Sequence, residues 1–260
     1  MQDALKKIWA TEMTWSEGAW KTPGSLVISR PDWYQVTTPD RPSVVYNGIY
    51  RSVMADGEAD RLIDEVFEHY RAAGLPFRWT LGPSARPLDL ADRLQRRGMA
   101  VFAKTVGMVI ATDAPMPERR PGVTVEPVTH ANLKDWAMAA AGGWGMPPEI
   151  QEGYAADMAA QMDALDDDLE LVLARIDGEP AGAGMWQYVQ GIGWLKGTAV
   201  RPEFRRQGAY QAMVAYRLDA MRQRGVTLAA IQATIGTSEP ICRALGFEEV
   251  CQIDIYCSPS

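Results

Sequence analysis

Between residues 200 and 213 the chain reads VRPEFRRQGAYQAM, which gathers Arg201, Arg205 and Arg206 and follows them at once with Gly208. After the glycine, Ala209, Met213, Tyr216 and Ala220 recur at helical spacing, so Gly208 stands at a helix start. At such a start, unpaired N–H groups and the positive end of the helix dipole point outward, and an anion can accept several backbone hydrogen bonds together. Glycine permits close approach, and arginine adds fixed charge of a kind that suits phosphate. Two readings remain open from the residues alone: a phosphate or pyrophosphate site, and a solvated basic turn. The stretch fits neither the P-loop pattern GxxxxGK[ST] nor the dinucleotide pattern GxGxxG.

Other chemistry is sparse. The cysteines Cys242, Cys251 and Cys257 form no CxxC pair, their odd number disfavours a disulfide framework, and with only His69 and His130 beside them no metal-ligand set is legible. The chain has 260 residues and a formal net charge of −7, which argues against general binding to nucleic acid or to an anionic membrane surface. The start, MQDALKKIWATEMTW, lacks the apolar core of a signal peptide, and no apolar run is long enough to span a bilayer. These features predict a soluble, reduced, cytoplasmic protein without a metal; they say nothing about its oligomeric state.

The elements that must position the arginine-rich turn come next. TDAPMPERRPG, residues 112–122, has three prolines and no helix or strand period, and predicts a boundary between a domain at 1–115 and one at 116–260. The second half alternates strands and helices. VTVEPV reads as a strand, followed by helices over 131–141 and 149–165 around a loop, GGWGMPP. LELVLARI, a DGEP hairpin turn, AGAGMWQYV and GWLKGTAV continue a sheet up to the arginines. Beyond the helix come Gly225, the strand VTLAAIQAT, a short helix capped by Thr237 or Ser238, and a last strand carrying Cys251, Ile253 and Ile255 on one face. Residues 71–101 echo this layout, with Gly74 matching Gly225 and Gly98-Met99 matching Gly246-Phe247. The expected class is α/β (α+β): two similar domains, each a mixed, mostly antiparallel sheet flanked by helices. At the corresponding turn the first half offers Asp56 and Glu58 in place of arginines, so only the second half is expected to hold an anion.

Val200, Pro202 and the run Arg205-Arg206-Gln207-Gly208-Ala209-Tyr210 resemble the R/Q-x-x-G-x-G/A signature of the GNAT superfamily of acetyl-CoA-dependent N-acetyltransferases, and Leu245-Gly246-Phe247 resembles a later motif of that family. The resemblance covers about residues 123–256, and the echo extends the fold, though not the site, to a degenerate first half. It implies that the strand end Thr198, Ala199 and Val200 binds the pantetheine arm. It further implies that the amides of Arg206, Gln207, Gly208 and Ala209 bind the pyrophosphate, with charge from Arg205 and Arg206. Tyr210, where the family has glycine or alanine, would line the cleft. An amine attacking a thioester builds an oxyanion, sheds a proton and releases a thiolate, so an acid and a base are wanted. The family's tyrosine acid falls here on Cys242, and a buried structural cysteine is the competing reading. The strand before the arginines offers Lys196 in place of the glutamate base, which leaves Glu126, Glu170, Tyr188, water, or an already neutral amine. Of the tryptophans, Trp144 is the candidate substrate contact. The expected activity is acetyl transfer from acetyl-CoA to a small-molecule amine, such as an antibiotic or other metabolite. A protein or peptide acceptor, or a non-catalytic acyl-CoA-binding module, stands as the alternative.

Overall fold

The computed structural model describes residues 2–22, 24–147 and 151–259. Its residues gather into two compact units. Unit 1 comprises Met1–Met108, Gln232–Arg243 and Glu248–Ser260; unit 2 comprises Val109–Ile231 and Ala244–Phe247.

In unit 1 a leading helix α1 (Gln2–Glu17) precedes a meander of β1 (Leu26–Arg30), β2 (Trp33–Thr37) and β3 (Gly48–Ser52). Helix α2 (Asp56–Ala72) carries the chain to β4 (Arg78–Leu81), parallel to β3, and then come α3 (Leu90–Arg96) and β5 (Ala100–Ala111). Its core is built on Ile49, Ile63, Tyr70, Trp79 and Leu94, all fully buried. In unit 2, β6 (Val123–Pro127) leads to α4 (Leu133–Trp144) and α5 (Gln151–Leu165), and a second meander follows, β7 (Leu169–Ile176), β8 (Glu179–Val189) and β9 (Ile192–Val200). Helix α6 (Ala209–Gln223) then leads to β10 (Leu228–Thr234), parallel to β9, and the chain closes with α7 (Ser238–Ala244) and β11 (Glu248–Cys257). Within each unit the strand pairing is mixed and mostly antiparallel, with β3–β4 and β9–β10 the parallel pairs.

The internal echo is a repeat of structure. Gly74 and Gly225 both take positive φ, 65° and 75°, just past the ends of α2 and α6. The chain reverses there through matching bonds, Leu75 N to Tyr70 O at 2.9 Å and Val226 N to Met221 O at 3.0 Å. Gly98 and Gly246 repeat the arrangement after α3 and α7, at φ 88° and 91°.

The structure departs from two contiguous domains at 1–115 and 116–260. Strand β11 pairs antiparallel with β4, Ile255 opposite Thr80, so the C-terminal strand belongs to unit 1. An alternating strand sequence specifies a buried face and carries no record of which strand it pairs with, which is why this exchange escapes a reading of the pattern. The linker 112–122 is irregular, as its prolines dictate, but lies within unit 2. Helix α4 also runs further than residues 131–141 suggest. Gly142, Gly143 and Trp144 form its last turn, capped by Gly145 at φ 67°. The glycines are there for packing: a Cβ on Gly143 would stand 2.6 Å from Cβ of Ala199 on β9. Of GGWGMPP, Pro148 lies outside the described residues, as do the first two residues of the expected 149–165 helix.

Candidate functional site

Two features of unit 2 meet at the arginine-rich turn. The first is a strand with one open edge. β9 pairs with β8 along its length to Val200, but with β10 only through Gly193, Trp194 and Leu195. Residues 196–200 therefore present backbone groups on one side to no neighbouring strand, and such groups seek partners. Within this stretch the pairing slips: Ala183 faces Ala199 whereas Met185 faces Lys196, which leaves one extra residue on β9. The slip is a β-bulge, and Gly197 takes φ 55° inside it.

The second feature is the start of α6. Pro202–Phe204 form a single 3-10 turn, after which Arg206 adopts φ 64° and Gly208 φ 98°. Left-handed residues next to right-handed ones turn successive N–H groups to the same side, making a concave anion-binding nest, and here it sits on the dipole of a 15-residue helix. Within this turn the arginines divide the work. Arg201 is structural: it donates to Pro180 O at 2.8 Å and pairs with Glu203 at 2.5 Å. Arg205 staples the end of β9 to the last turn of α4, donating to Val200 O at 3.2 Å and Gly143 O at 3.3 Å. Arg206 is exposed and makes no side-chain hydrogen bond or ion pair among the described residues. Gln207 donates to Glu203 O at 3.0 Å, Ala209 is buried at the helix start, and Tyr210 beside it is half-buried.

Two arginines outside the motif also act here. Arg217, on α6, is completely buried. Its guanidinium donates to Met185 O at 3.0 Å and to Thr198 Oγ1 at 2.8 Å, while Nε bonds Met213 O at 2.9 Å. It thus ties both strands of the bulge to α6, supplying a donor to a carbonyl beside the slip. Its residue type hides it from a sequence reading, although its spacing of four from both Met213 and Met221 puts it on the buried face of α6. Arg120, in the linker, lies over Gly208 and is taken up below.

Trp144 closes the other side of the bulge. Its Cη2 is 3.5 Å from where a Cβ on Gly197 would stand, and the ring is 39% exposed. It meets Tyr154 edge-on at 6.0 Å, and Tyr154 stacks on Trp136 at 5.6 Å. Trp136 is buried and donates to Gly184 O at 3.1 Å, so the exposed ring rests on a fixed pile.

The candidate acids and bases are already engaged. Cys242 is reduced and wholly buried in α7, grouped with unit 1. A wholly buried thiol suits core packing. Glu126 pairs with Arg175 at 2.9 Å. Glu170 accepts from Trp186 Nε1 at 3.2 Å. Burial, and then the Glu170 carboxylate, hold the Tyr216 hydroxyl above its ordinary pKa. Tyr188 is partly exposed beneath the Arg224 guanidinium. Lys196 is buried, 3.0 Å from Gln187 Oε1. No group of three or more metal-ligating side chains occurs among the described residues, and none of the helices described is long and apolar enough to cross a membrane.

In unit 1 the equivalent helix start carries Asp56 and Glu58 in its first turn and has no side-chain cap hydrogen bond. Arg93 of α3 donates to Asp89 and Asp60 at 3.0 Å and pairs with Asp56, the first residue of α2. Asp56 thus stands at the first position of α2, where α6 has Ala209.

Residues 131–246 match the model of the Acetyltransferase (GNAT) family. In fold, the chain is similar to a GCN5-related N-acetyltransferase from Kribbella flavida, with a TM-score of 0.74 at 18% identity, over 99% of this chain and 95% of that one. It is also similar to a GCN5-related N-acetyltransferase from Sphaerobacter thermophilus (TM-score 0.65, 20% identity, 87% of this chain and 80% of that). A tandem GNAT protein from the clavulanic acid biosynthesis pathway aligns with 100% of this chain and 96% of its own, at a TM-score of 0.64 and 13% identity. No curated protein matches the chain in sequence.

Proposed function

We propose that the chain is a GNAT acetyltransferase, its residues 131–246 matching that family's model, and that unit 2 binds acetyl-CoA and passes its acetyl group to the amine of a small molecule, unit 1 being a copy of the fold without a cofactor site. The observation that carries this reading is the open edge of β9 at 196–200 running directly into the left-handed turn at Arg206 and Gly208. A chain of amides ending in a diphosphate suits such a strand edge ending in a nest. Thr198, Ala199 and Val200 would hold the pantetheine amides by their backbone groups, and Arg206 to Ala209 with Tyr210 would hold the pyrophosphate.

The bound thioester supplies an activated acetyl group. The protein's task is then to stabilise charge on the carbonyl oxygen and to seat the acceptor. Backbone N–H groups of the bulge at Gly197 and Thr198 are the donors available for the first. Trp144, exposed beside them, offers the acceptor a flat apolar wall. With Glu126 and Glu170 engaged and Cys242 buried, the amine arrives neutral; as its nitrogen bonds the acetyl carbon the C–S bond breaks, the amine's proton leaves to water, and the departing thiolate takes a proton from water.

Calorimetry with acetyl-CoA tests the site, and thiol release over a panel of amines tests the reaction. Absence of acetyl-CoA binding by the wild type would overturn the reading at its root. A second reading, acyl-CoA binding without transfer, is favoured by Lys196 on β9 and by the buried Cys242; it gains if binding is tight and no amine is turned over.

A further inference from the structure

We propose that Arg120, carried by the linker ahead of β6, is a positioning residue of the pyrophosphate turn, resting on the cofactor reading above. The argument begins with how Arg120 is held. Its carbonyl accepts from Val123 N at 3.2 Å, and the neighbouring Gly122 O accepts from Asp177 N at 2.9 Å. The backbone from which Arg120 springs is thereby tied to β6 and to the β7–β8 hairpin. From that base the side chain reaches across the turn and touches both of its left-handed residues. Nη1 donates to Arg206 O at 3.1 Å. The methylenes lie against Gly208, Cδ 3.0 Å and Cγ 3.2 Å from where a Cβ would stand.

Those two contacts fall where the turn has a conformational preference to overcome. Arg206 bears a Cβ and is held at φ 64°, a region that L residues visit only against steric resistance. In this conformation the Arg206 carbonyl takes its hydrogen bond from the Arg120 guanidinium. Packing over Gly208 keeps the second left-handed residue from relaxing outward. With both fixed before any ligand arrives, the N–H groups between them already converge, and the ordering cost is removed from the binding step. The linker is therefore part of the site, although its composition reads as a tether.

The test is a double-mutant cycle in CoA affinity, measured by calorimetry on the full chain. Arg120→Ala alone is expected to weaken CoA by about tenfold, the loss of one charge-assisted bond. In an Arg206→Gly background, where glycine adopts the left-handed turn without help, the same Arg120→Ala change is expected to weaken CoA by less than about twofold. Arg120→Gln, which keeps a donor without charge, recovers part of the single-mutant loss. Dephospho-CoA, lacking the 3′-phosphate, shows the same pattern as CoA. The proposal is overturned if Arg120→Ala costs nothing in the wild-type background, if it costs the same in both backgrounds, or if the loss is confined to CoA and absent with dephospho-CoA. Absence of CoA binding by the wild type would instead remove the cofactor reading on which the proposal stands.

Discussion

Gly197→Ala separates the geometry of the β9 bulge from the stability of the strand. The residue sits at φ 55°, and a left-handed backbone costs a residue with a Cβ about 1–2 kcal/mol. The added methyl would meet Met185 Cε at 2.7 Å and Trp144 Cη2 at 3.5 Å. The first contact is with the far end of a flexible side chain, which moves at little cost, and the second is ordinary contact. Destabilisation is thus expected at about 1–2 kcal/mol, a fall in Tm of about 2–8 °C for a chain of this size. The backbone can escape that strain by relaxing the bulge toward regular pairing, which would turn the N–H groups of Gly197 and Thr198 away from the reacting carbonyl. Loss of an oxyanion donor costs about a hundredfold or more in kcat. Gly191→Ala provides the control: Gly191 has φ 88° in the β8–β9 turn, with open space where its Cβ would go. It should lose similar stability and no activity. The assay is thiol release at saturating acetyl-CoA and acceptor, beside thermal melts of both variants. If Gly197→Ala keeps the wild-type kcat while its Tm falls as far as that of Gly191→Ala, the bulge has no part in catalysis.

Arg206→Ala should weaken acetyl-CoA by about tenfold, and the deficit should shrink as salt screens the lost charge; equal affinity at low salt would return the turn to a solvated basic loop. Trp144→Ala should raise the KM of the acceptor several-fold and leave that of acetyl-CoA unchanged, which steady-state kinetics in both substrates will separate. Cys242→Ala should lower the melting temperature through the cavity left in α7 and keep kcat within about twofold, since a wholly buried thiol touches no ligand; a collapse of kcat in a folded variant would restore it as the acid. The logarithm of kcat/KM should climb with pH with unit slope until the pKa of the acceptor amine and then level off. The sign follows because only the neutral amine attacks and the two candidate carboxylates, Glu126 and Glu170, are already engaged; a plateau set by a group of the protein instead, unchanged between acceptors of different basicity, would contradict it. Calorimetry should count one acetyl-CoA per chain.

Much of this arrangement is visible in the sequence wherever local physics decides it. Gly74, Gly225, Gly98 and Gly246 announce themselves because a chain leaving a helix by a left-handed turn favours glycine, and their order marks the repeat. The DGEP hairpin is equally local, with Asp177 and Gly178 both at positive φ. The turn at 205–210 is readable for the same reason. What escapes is settled by contacts distant in sequence. Strand β11 is recognisable as a strand, but its pairing with β4 is decided by shape across more than 170 residues of chain. Gly142 and Gly143 look like loop residues because glycine disfavours helix, yet the approach of β9 outweighs that preference. Arg217 and Arg120 carry the residue type expected at a surface. Only the fold shows one of them inside the bulge and the other across the turn.

The two units show why similarity of fold does not carry similarity of site. Helices α2 and α6 follow equivalent strands and end in equivalent glycine caps. Each begins with the same excess of unpaired N–H groups and the same sign of dipole, so each start attracts negative charge. In unit 1 that charge is supplied from within: Asp56 is the first residue of α2, Arg93 grips it along with Asp60 and Asp89, and the Arg93 side chain is left only 11% exposed. An incoming diphosphate would meet the like charge of Asp56 and Glu58 in that first turn. In unit 2 the first turn of α6 has no acidic residue, and Arg206 stands exposed with no partner among the described residues, so the same backbone charge remains available to an anion from outside. A shared fold provides the field in both units; which of them can bind is decided by whether the chain has already answered that field with an acid of its own.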